Sequence, residues 1–383
     1  MLTRVYVDNY RCFVNFEVNF SRFNLVLGSN GTGKTALFEV INQVSRFVTE
    51  EPWVEKSFPS RSLTRWETRT AQTFEMDVSG NGGLYRYWLT IDRDSREQDL
   101  CRIKEERLTF NDQVIFSAKF RFNGVGEVQL YRDGYASGVP YGLGPRYEAK
   151  MFRTALGAVA EHKDNSKLTW FIEYLRKLRI IRIDPSSMTS RSEQEESIPT
   201  YNFANFSSWY RYLLPQVPPG LQNFFNDLRD LGFSSLRFTE QGAQIKKLMV
   251  EQIVGMDNEK ENLKVHFGFD ELSDGQRVLI TLYAISHLGL AEDFTFCLDE
   301  PEAYIGLREM QPWLSTLEEA SANNKSQVLL ISHHPEIINH LAVKDGLRFY
   351  RRNNGPVRVE KWRGDGESGL QPAEIIARGD DDE

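Results

Sequence analysis

The hydrophobic positions of this chain change their spacing from one stretch to the next, and each spacing predicts an element. Over Leu2 to Leu27 apolar and polar residues alternate, first at Val5 and Val7, then at Phe16, Val18 and Phe20. A period of two predicts half-buried strands. Phe23-Asn24-Leu25-Val26-Leu27 reads as a short buried strand that stops at Gly28. Leu37, Phe38, Ile41, Val44 and Phe47 then recur at three- and four-residue spacing, which predicts a helix from Thr35 to about Val48. Strand, glycine-rich loop and helix follow in that order within residues 1–50.

From about Thr70 to Tyr135 the alternation returns and predicts antiparallel hairpins. Phe74 to Val78 runs into Ser79-Gly80-Asn81-Gly82-Gly83, and Leu84 to Ile91 comes back with aromatics on alternate positions. Arg107 to Phe110 and Val114 to Phe116 flank a second turn at Asn111-Asp112. Residues 70–148 are therefore expected to form an inserted β-lobe. Residues 150–262 read as a helical lobe: Trp170, Phe171, Tyr174, Leu175 and Leu178 share one face, and Leu221, Phe224, Phe225, Leu228 and Leu231 share another. The polar run over 186–200 is expected to be a mobile loop within it. Residues 263–383 return to α/β texture, with a helix after Ser273, buried strands over Phe294–Leu298 and Gln327–Ile331, and a helix from about Glu309. No internal repeat or sustained heptad is visible, and the acidic end Asp380-Asp381-Asp382-Glu383 is expected to be solvated.

Composition narrows the picture. The 383 residues suit one large α/β domain with insertions, and 40% hydrophobic content supplies a packed core. A net charge of −8 argues against a whole-surface grip on nucleic acid, while leaving room for a local basic groove. Cys12, Cys101 and Cys297 make neither a CxxC knuckle nor a disulfide framework, which fits a reducing cytoplasm. The start lacks a signal-peptide pattern, and no apolar run approaches the ~20 residues of a membrane helix. The expectation is a cytoplasmic protein with no membrane contact.

The chemistry concentrates in a few strings. Gly28-Ser29-Asn30-Gly31-Thr32-Gly33-Lys34-Thr35 fits G-x-x-x-x-G-K-[ST] at every fixed position. Glycines let backbone N–H groups turn toward phosphate oxygens, and the helix that follows adds its dipole. Lys34 is expected to reach the β- and γ-phosphates of ATP and Thr35 to coordinate Mg²⁺. The competing reading is a plain glycine turn before a helix. Phe294-Thr295-Phe296-Cys297-Leu298-Asp299-Glu300 is an apolar strand delivering two adjacent carboxylates. Asp299 is expected to sit behind the Mg²⁺ and Glu300 to act as general base on water. Two solvated acids after a strand are the bland alternative. Leu272-Ser273-Asp274-Gly275-Gln276-Arg277 opens a helix with Ser273 as candidate N-cap. Val328 to Ile331 is a buried strand ending in Ser332-His333-His334-Pro335. For these histidines a metal site with His340, or a helix-capping role, stand as the other readings.

In that order, the four strings resemble those of the ATP-binding-cassette (ABC) ATPases. Leu272 to Gln276 is similar to the signature L-S-G-G-Q, with Asp274 in place of the first glycine. The resemblance implies a P-loop α/β fold of ABC type: a mixed central sheet flanked by helices, here with the inserted β-lobe and helical lobe in a single head over 1–383. It also implies that Ser273 and Gly275 act in trans on the ATP of a second copy, in a head-to-tail homodimer or higher oligomer, and that His333 touches the γ-phosphate. The opening Arg4 to Phe13 resembles the first strand of the RecF/SMC branch, and by that likeness Arg11 helps hold the nucleotide, with a surface arginine as the alternative. Leu298 to Glu302 and Ile331 to Glu336 look like stand-alone AAA-family ATPases of bacterial defence systems, including the overcoming-lysogenization-defect type, here without a Toprim nuclease domain. Two departures stand out. Leu307 is followed by Arg308 where the family places an Asp or His, and Gln72 is only a candidate for the Q-loop glutamine. The implied function is an ATPase whose ATP-driven dimer regulates a separately encoded effector in anti-phage defence. The alternative is a RecF-like DNA-binding ATPase of repair or maintenance, and a transporter cassette is disfavoured by both inserted lobes.

Overall fold

The computed structural model describes residues 1–93, 100–120, 125–133, 141–216, 218–242, 244–254, 263–324, 326–363 and 369–378. The acidic end expected to be solvated lies outside these. Contacts divide the chain into two units: Met1–Ser21, Val26–Leu178 and Val343–Glu383 form the first, and Arg22–Leu25 with Arg179–Ala342 the second.

In the first unit, alternation becomes sheet. Strands β1 (Leu2–Asp8) and β2 (Phe16–Asn19) pair antiparallel with Val5 opposite Val18. After β3 (Phe23–Leu27), which the two units share, come helix α1 (Lys34–Glu50) and the single turn α2 (Val54–Ser57). Strands β4 (Gln72–Gly80), β5 (Gly83–Arg93), β6 (Cys101–Phe110), β7 (Gln113–Phe120), β8 (Val125–Asp133) and β9 (Tyr141–Lys150) follow. They join the first pair in one eight-stranded sheet of order β2-β1-β4-β5-β6-β7-β8-β9. The amino-terminal strands and the inserted lobe are thus continuous, with Val5 also facing Met76.

Both expected turns are two-residue hairpin loops. Asn81 and Gly82 have φ of 48° and 80°, and Asn111 and Asp112 have φ of 48° and 63°, the doubly positive geometry that matches strand twist. Helix α3 (Ser166–Lys177) lies on this sheet, with Trp170 stacked on Tyr85 at 5.0 Å and Phe171 beside Tyr87. It also meets α1, where the Ser45 hydroxyl donates to the Leu175 carbonyl at 2.8 Å. Under the sheet Glu106 is fully buried and accepts four bonds: from Tyr87 (2.9 Å), Thr154 (2.6 Å) and the N–H groups of Ala155 (2.8 Å) and Leu156 (3.3 Å). Burial raises its pKa, and those donors pull it back.

From Arg179 on, the second unit takes up the rest of β10 (Leu178–Ile181), the short β11 (Arg191–Ser192), α4 (Phe206–Leu213) and α5 (Pro218–Asp230). The lobe read as helical, 150–262, also holds the strands β12 (Phe233–Glu240) and β13 (Lys246–Val254), and β14 (Leu263–Gly268) follows directly after it. Phe233, Leu236, Leu248 and Val250 are buried on an antiparallel sheet that β11 joins, so alternation over short runs decides the outcome here. Residues 186–200, read as a mobile loop, carry β11 and several bonds. Ser190 accepts from Leu248 N–H at 2.7 Å, Thr189 from the Ser207 hydroxyl at 2.6 Å, and Glu196 from the Asn205 amide at 2.6 Å. Helix α6 (Asp274–Ala284) runs into a π-turn over Ile285–Gly289. The expected buried strands follow as β15 (Thr295–Asp299) and β16 (Gln327–Ile331), paired in parallel with Cys297 opposite Leu329. Helix α7 (Leu307–Asn323) connects them, and α8 (Pro335–Asp345) follows. Back in the first unit, β17 (Gly346–Arg351) and β18 (Val357–Lys361) form an antiparallel pair, and α9 (Pro372–Arg378) closes the described chain.

Candidate functional site

The glycine loop is shaped by what surrounds it in the first unit. Gly28 has φ of +139°, and a Cβ there would lie 2.2 Å from the Phe349 carbonyl oxygen on β17. Gly33 has φ of +92° and would bring a Cβ to 2.9 Å from Cys12 Sγ, while Gly31, at +81°, faces open space. Only glycine satisfies the first two positions without moving a neighbour. The loop then opens α1 at Gly33, with no side-chain cap and no acidic residue in the first turn. Its leading N–H groups therefore carry the uncompensated positive end of the helix, a ready anion site. Lys34 is 5% exposed and its ammonium donates to the Gly28 and Ser29 carbonyls at 2.7 and 2.8 Å, so the cation is held over the loop. Thr32 closes the turn onto Ser29 at 2.8 Å. Asn30 and Thr35 are exposed.

Around the loop, Arg11 has φ of +50°, donates its N–H to the Ser62 carbonyl at 2.7 Å and pairs with Glu39 one turn beyond Thr35. Arg351, which the motifs gave no reason to single out, approaches the Gly31 carbonyl at 3.4 Å and lies 5.5 Å from the Trp66 ring centroid. Gln72 is fully buried, donating to the Asn9 carbonyl at 2.9 Å and accepting from Arg93 at 3.0 Å. Its amide is taken up in joining the ends of β1, β4 and β5.

The second unit brings the other strings together. Asp299 ends β15 at 2% exposure. Glu300 follows with φ of +49°, an uncommon conformation for a non-glycine residue. Its N–H donates to the Ile331 carbonyl at 3.0 Å. Arg182 reaches one Glu300 oxygen at 3.2 Å, and His333 Nε2 stands 3.8 Å from the other. The latter is ion-pair range, too long for a hydrogen bond. Ser273 caps α6: its hydroxyl accepts from Gln276 N–H at 3.4 Å while Gln276 Oε1 accepts from Ser273 N–H at 3.1 Å. Asp274 pairs with Arg277 at 2.5 Å, and a Cβ on Gly275 would stand 2.8 Å from the Tyr304 carbonyl. The signature turn thus packs against the segment that follows Glu300.

The capping reading of the histidines applies to His334, whose Nδ1 accepts from Glu336 N–H at 3.2 Å at the start of α8. His340 pairs with Glu318 at 2.7 Å, and no cluster able to hold a metal by itself occurs among the described residues. The Thr35 hydroxyl and the Asp299 carboxylate are nonetheless hard oxygen donors of the kind Mg²⁺ takes alongside phosphate and water. Sequence reading missed Arg182 and Glu302. Arg182 sits in an unremarked Arg-Ile-Asp-Pro string after β10, and Glu302 stands in the acidic run after β15.

Residues 1–115 match AAA_15, the AAA ATPase domain family. No curated protein sequence matches. Among solved structures, the chain is similar to an SMC head bound to the C-winged helix domain of ScpA, at 11% identity and a TM-score of 0.52, covering 96% of this chain and 99% of that one. The SMC head domain from Thermotoga maritima matches at 12% identity and a TM-score of 0.45, covering 94% and 98%. The fold is that of an SMC head, an ABC-type P-loop ATPase architecture. Among the described residues no helix is long and apolar enough to cross a membrane.

Proposed function

We propose that this chain binds ATP on Gly28–Thr35 and hydrolyses it in the cytoplasm, and that ATP closes a head-to-tail dimer which regulates a separately encoded effector in anti-phage defence. One observation carries the nucleotide reading: a loop with three left-handed glycines, a buried lysine over it, and an uncapped helix start behind it. In this reading Lys34 neutralises phosphate charge and backbone N–H groups of the loop fix its oxygens. Thr35 and Asp299 would hold Mg²⁺, which when bound neutralises charge on the phosphates. Glu300 takes the proton of the attacking water, and His333, whose Nε2 stands 3.8 Å from that carboxylate, touches the γ-phosphate. Ser273 and Gly275 of a second copy complete the site, with Arg308 available as a cation toward that copy.

A Glu300→Gln variant removes the base and keeps the shape, so it should accumulate as an ATP-bound dimer. Gel filtration with ATP that returned only monomer would sink the dimer model. The SMC head solved with a ScpA domain is a precedent for a protein partner on this fold.

A DNA-binding role has its own support. Arg61, Arg65 and Trp66 are exposed in the first unit, and Arg351 lies across the Trp66 ring. Duplex binding that weakens steeply with salt, and weakens further on Arg65→Ala, favours this second reading.

A further inference from the structure

The carboxylate of Glu302 has no part in the functional reading above, yet it is 7% exposed and lies beside it. Its Oε1 accepts two bonds from the end of β16: the Ser332 hydroxyl at 2.5 Å and the His333 N–H at 3.3 Å. The Ser332 oxygen in turn accepts the His334 N–H at 3.0 Å. One carboxylate therefore fastens Ser332 and His333 directly, and His334 through the Ser332 hydroxyl. Oε2 is buried and has no hydrogen-bond partner among the described residues. Such a group is costly to keep, about 1–3 kcal/mol against water, so packing alone gives no reason to place an acid there. Burial, followed by the neighbouring Glu300 charge among the raising causes, shifts its pKa upward, while Ser332 and His333 oppose the shift.

The main chain at Ile331 is already fixed by β-pairing with Asp299, and Glu300 N–H is tied to the Ile331 carbonyl. What the strand does not fix is the turn at 332–334, where the chain leaves β16 for α8 and where the direction of the His333 ring is decided. We propose that Glu302 is the positioning residue for His333, setting the imidazole against Glu300 through its bonds to Ser332 and to the His333 N–H. This rests on the hydrolytic reading of Glu300 and His333, and it adds a residue with no role in that reading. Glu302 does not touch the reacting atoms; it acts through the backbone that carries the ring.

The test compares Glu302→Ala, His333→Ala and the double variant in the full chain, by steady-state ATP hydrolysis and thermal melting. Glu302→Ala should lower kcat on the order of 10- to 100-fold with KM for ATP nearly unchanged, as a misplaced group does. The double variant should be no slower than His333→Ala, because both changes remove one unit. Glu302→Gln keeps the accepting oxygen and should restore most of the rate. Wild-type kcat in Glu302→Ala, or losses that multiply in the double variant, would overturn the proposal. A second readout needs no turnover. In ¹H–¹³C spectra of the six histidines, assigned with His333→Ala, Ser332→Ala should move the His333 ring signal more than that of His162, His266 or His287. An unmoved signal overturns the positioning role even if the chain proves unable to hydrolyse ATP. A moved signal without hydrolysis upholds it while refuting the enzymatic reading.

Discussion

Replacing Gly28 by alanine tests the geometry of the nucleotide loop more directly than removing a charged group. The new Cβ would sit 2.2 Å from the Phe349 oxygen and 3.2 Å from Thr32 Oγ1, at a φ of +139°. Strain of this kind costs about 1–3 kcal/mol, and forcing a methyl into a filled space costs a further ~1–3 kcal/mol. The sum, roughly 2–6 kcal/mol, must be met by parting the loop from β17 or by turning it away from α1. Gly31→Ala is the internal control, since φ there is +81° but nothing among the described residues lies within 4 Å of the added carbon. Only backbone strain remains, on the order of 1 kcal/mol. Thermal unfolding should therefore separate the two variants by several degrees. A fluorescent ATP analogue should lose far more affinity on Gly28→Ala than on Gly31→Ala. Equal melting and equal affinity in the two would refute the close approach of the loop to Phe349, and with it the account of why glycine occupies position 28.

Two further outcomes follow from the same packing. Glu106→Leu strands the Tyr87 and Thr154 hydroxyls and two N–H groups in the core, which should cost about 3–6 kcal/mol by urea unfolding. Glu106→Gln should cost far less, because the two hydroxyls can turn to accept from its amide. Since burial raises the folded pKa of Glu106, its contribution is present below the ordinary carboxylate range and is lost as pH rises through the raised value. The Gln variant should lack that component of the stability–pH curve, and an unchanged curve counts against the assignment. Ser273→Ala removes the cap of α6, for about 0.5–2 kcal/mol. Ser273→Asp should regain the stability yet still prevent ATP-dependent dimerisation in a Glu300→Gln background. A dimer that forms with Asp at that position would leave Ser273 with a capping role alone.

What could be read beforehand is what local chemistry dictates. Asn81-Gly82 and Asn111-Asp112 are the residues a two-residue hairpin needs, and both turns form there. Ser273 with Gln276 three residues on is a capping box by spacing alone, and α6 starts there. The joining of β1 to β4 was not legible, because Val5 and Met76 meet across a whole helix and no local pattern records a partner that distant. The strands over 233–268 were hidden for the opposite reason: their alternating runs are short, and the helical faces before them dominate any long window. Arg182 and Glu302 carry ordinary charges in ordinary strings, and only the fold shows what each one touches.

Glu300 marks where the two kinds of information part. Asn81 and Glu300 have nearly the same φ, 48° and 49°, but in a turn the asparagine adopts it readily, whereas a glutamate after a buried strand does so at a cost of about 1–3 kcal/mol. Nothing local requires that conformation. It is held by the bond from Glu300 N–H to the Ile331 carbonyl, by Ala303 N–H on its own carbonyl at 3.3 Å, and by the strand register beneath. A residue that breaks a local rule and is kept there by several independent contacts is what a working carboxylate would look like. The strained backbone, the paired Arg182 and the fastened turn at Ser332–His334 all converge on the one side chain proposed as the base.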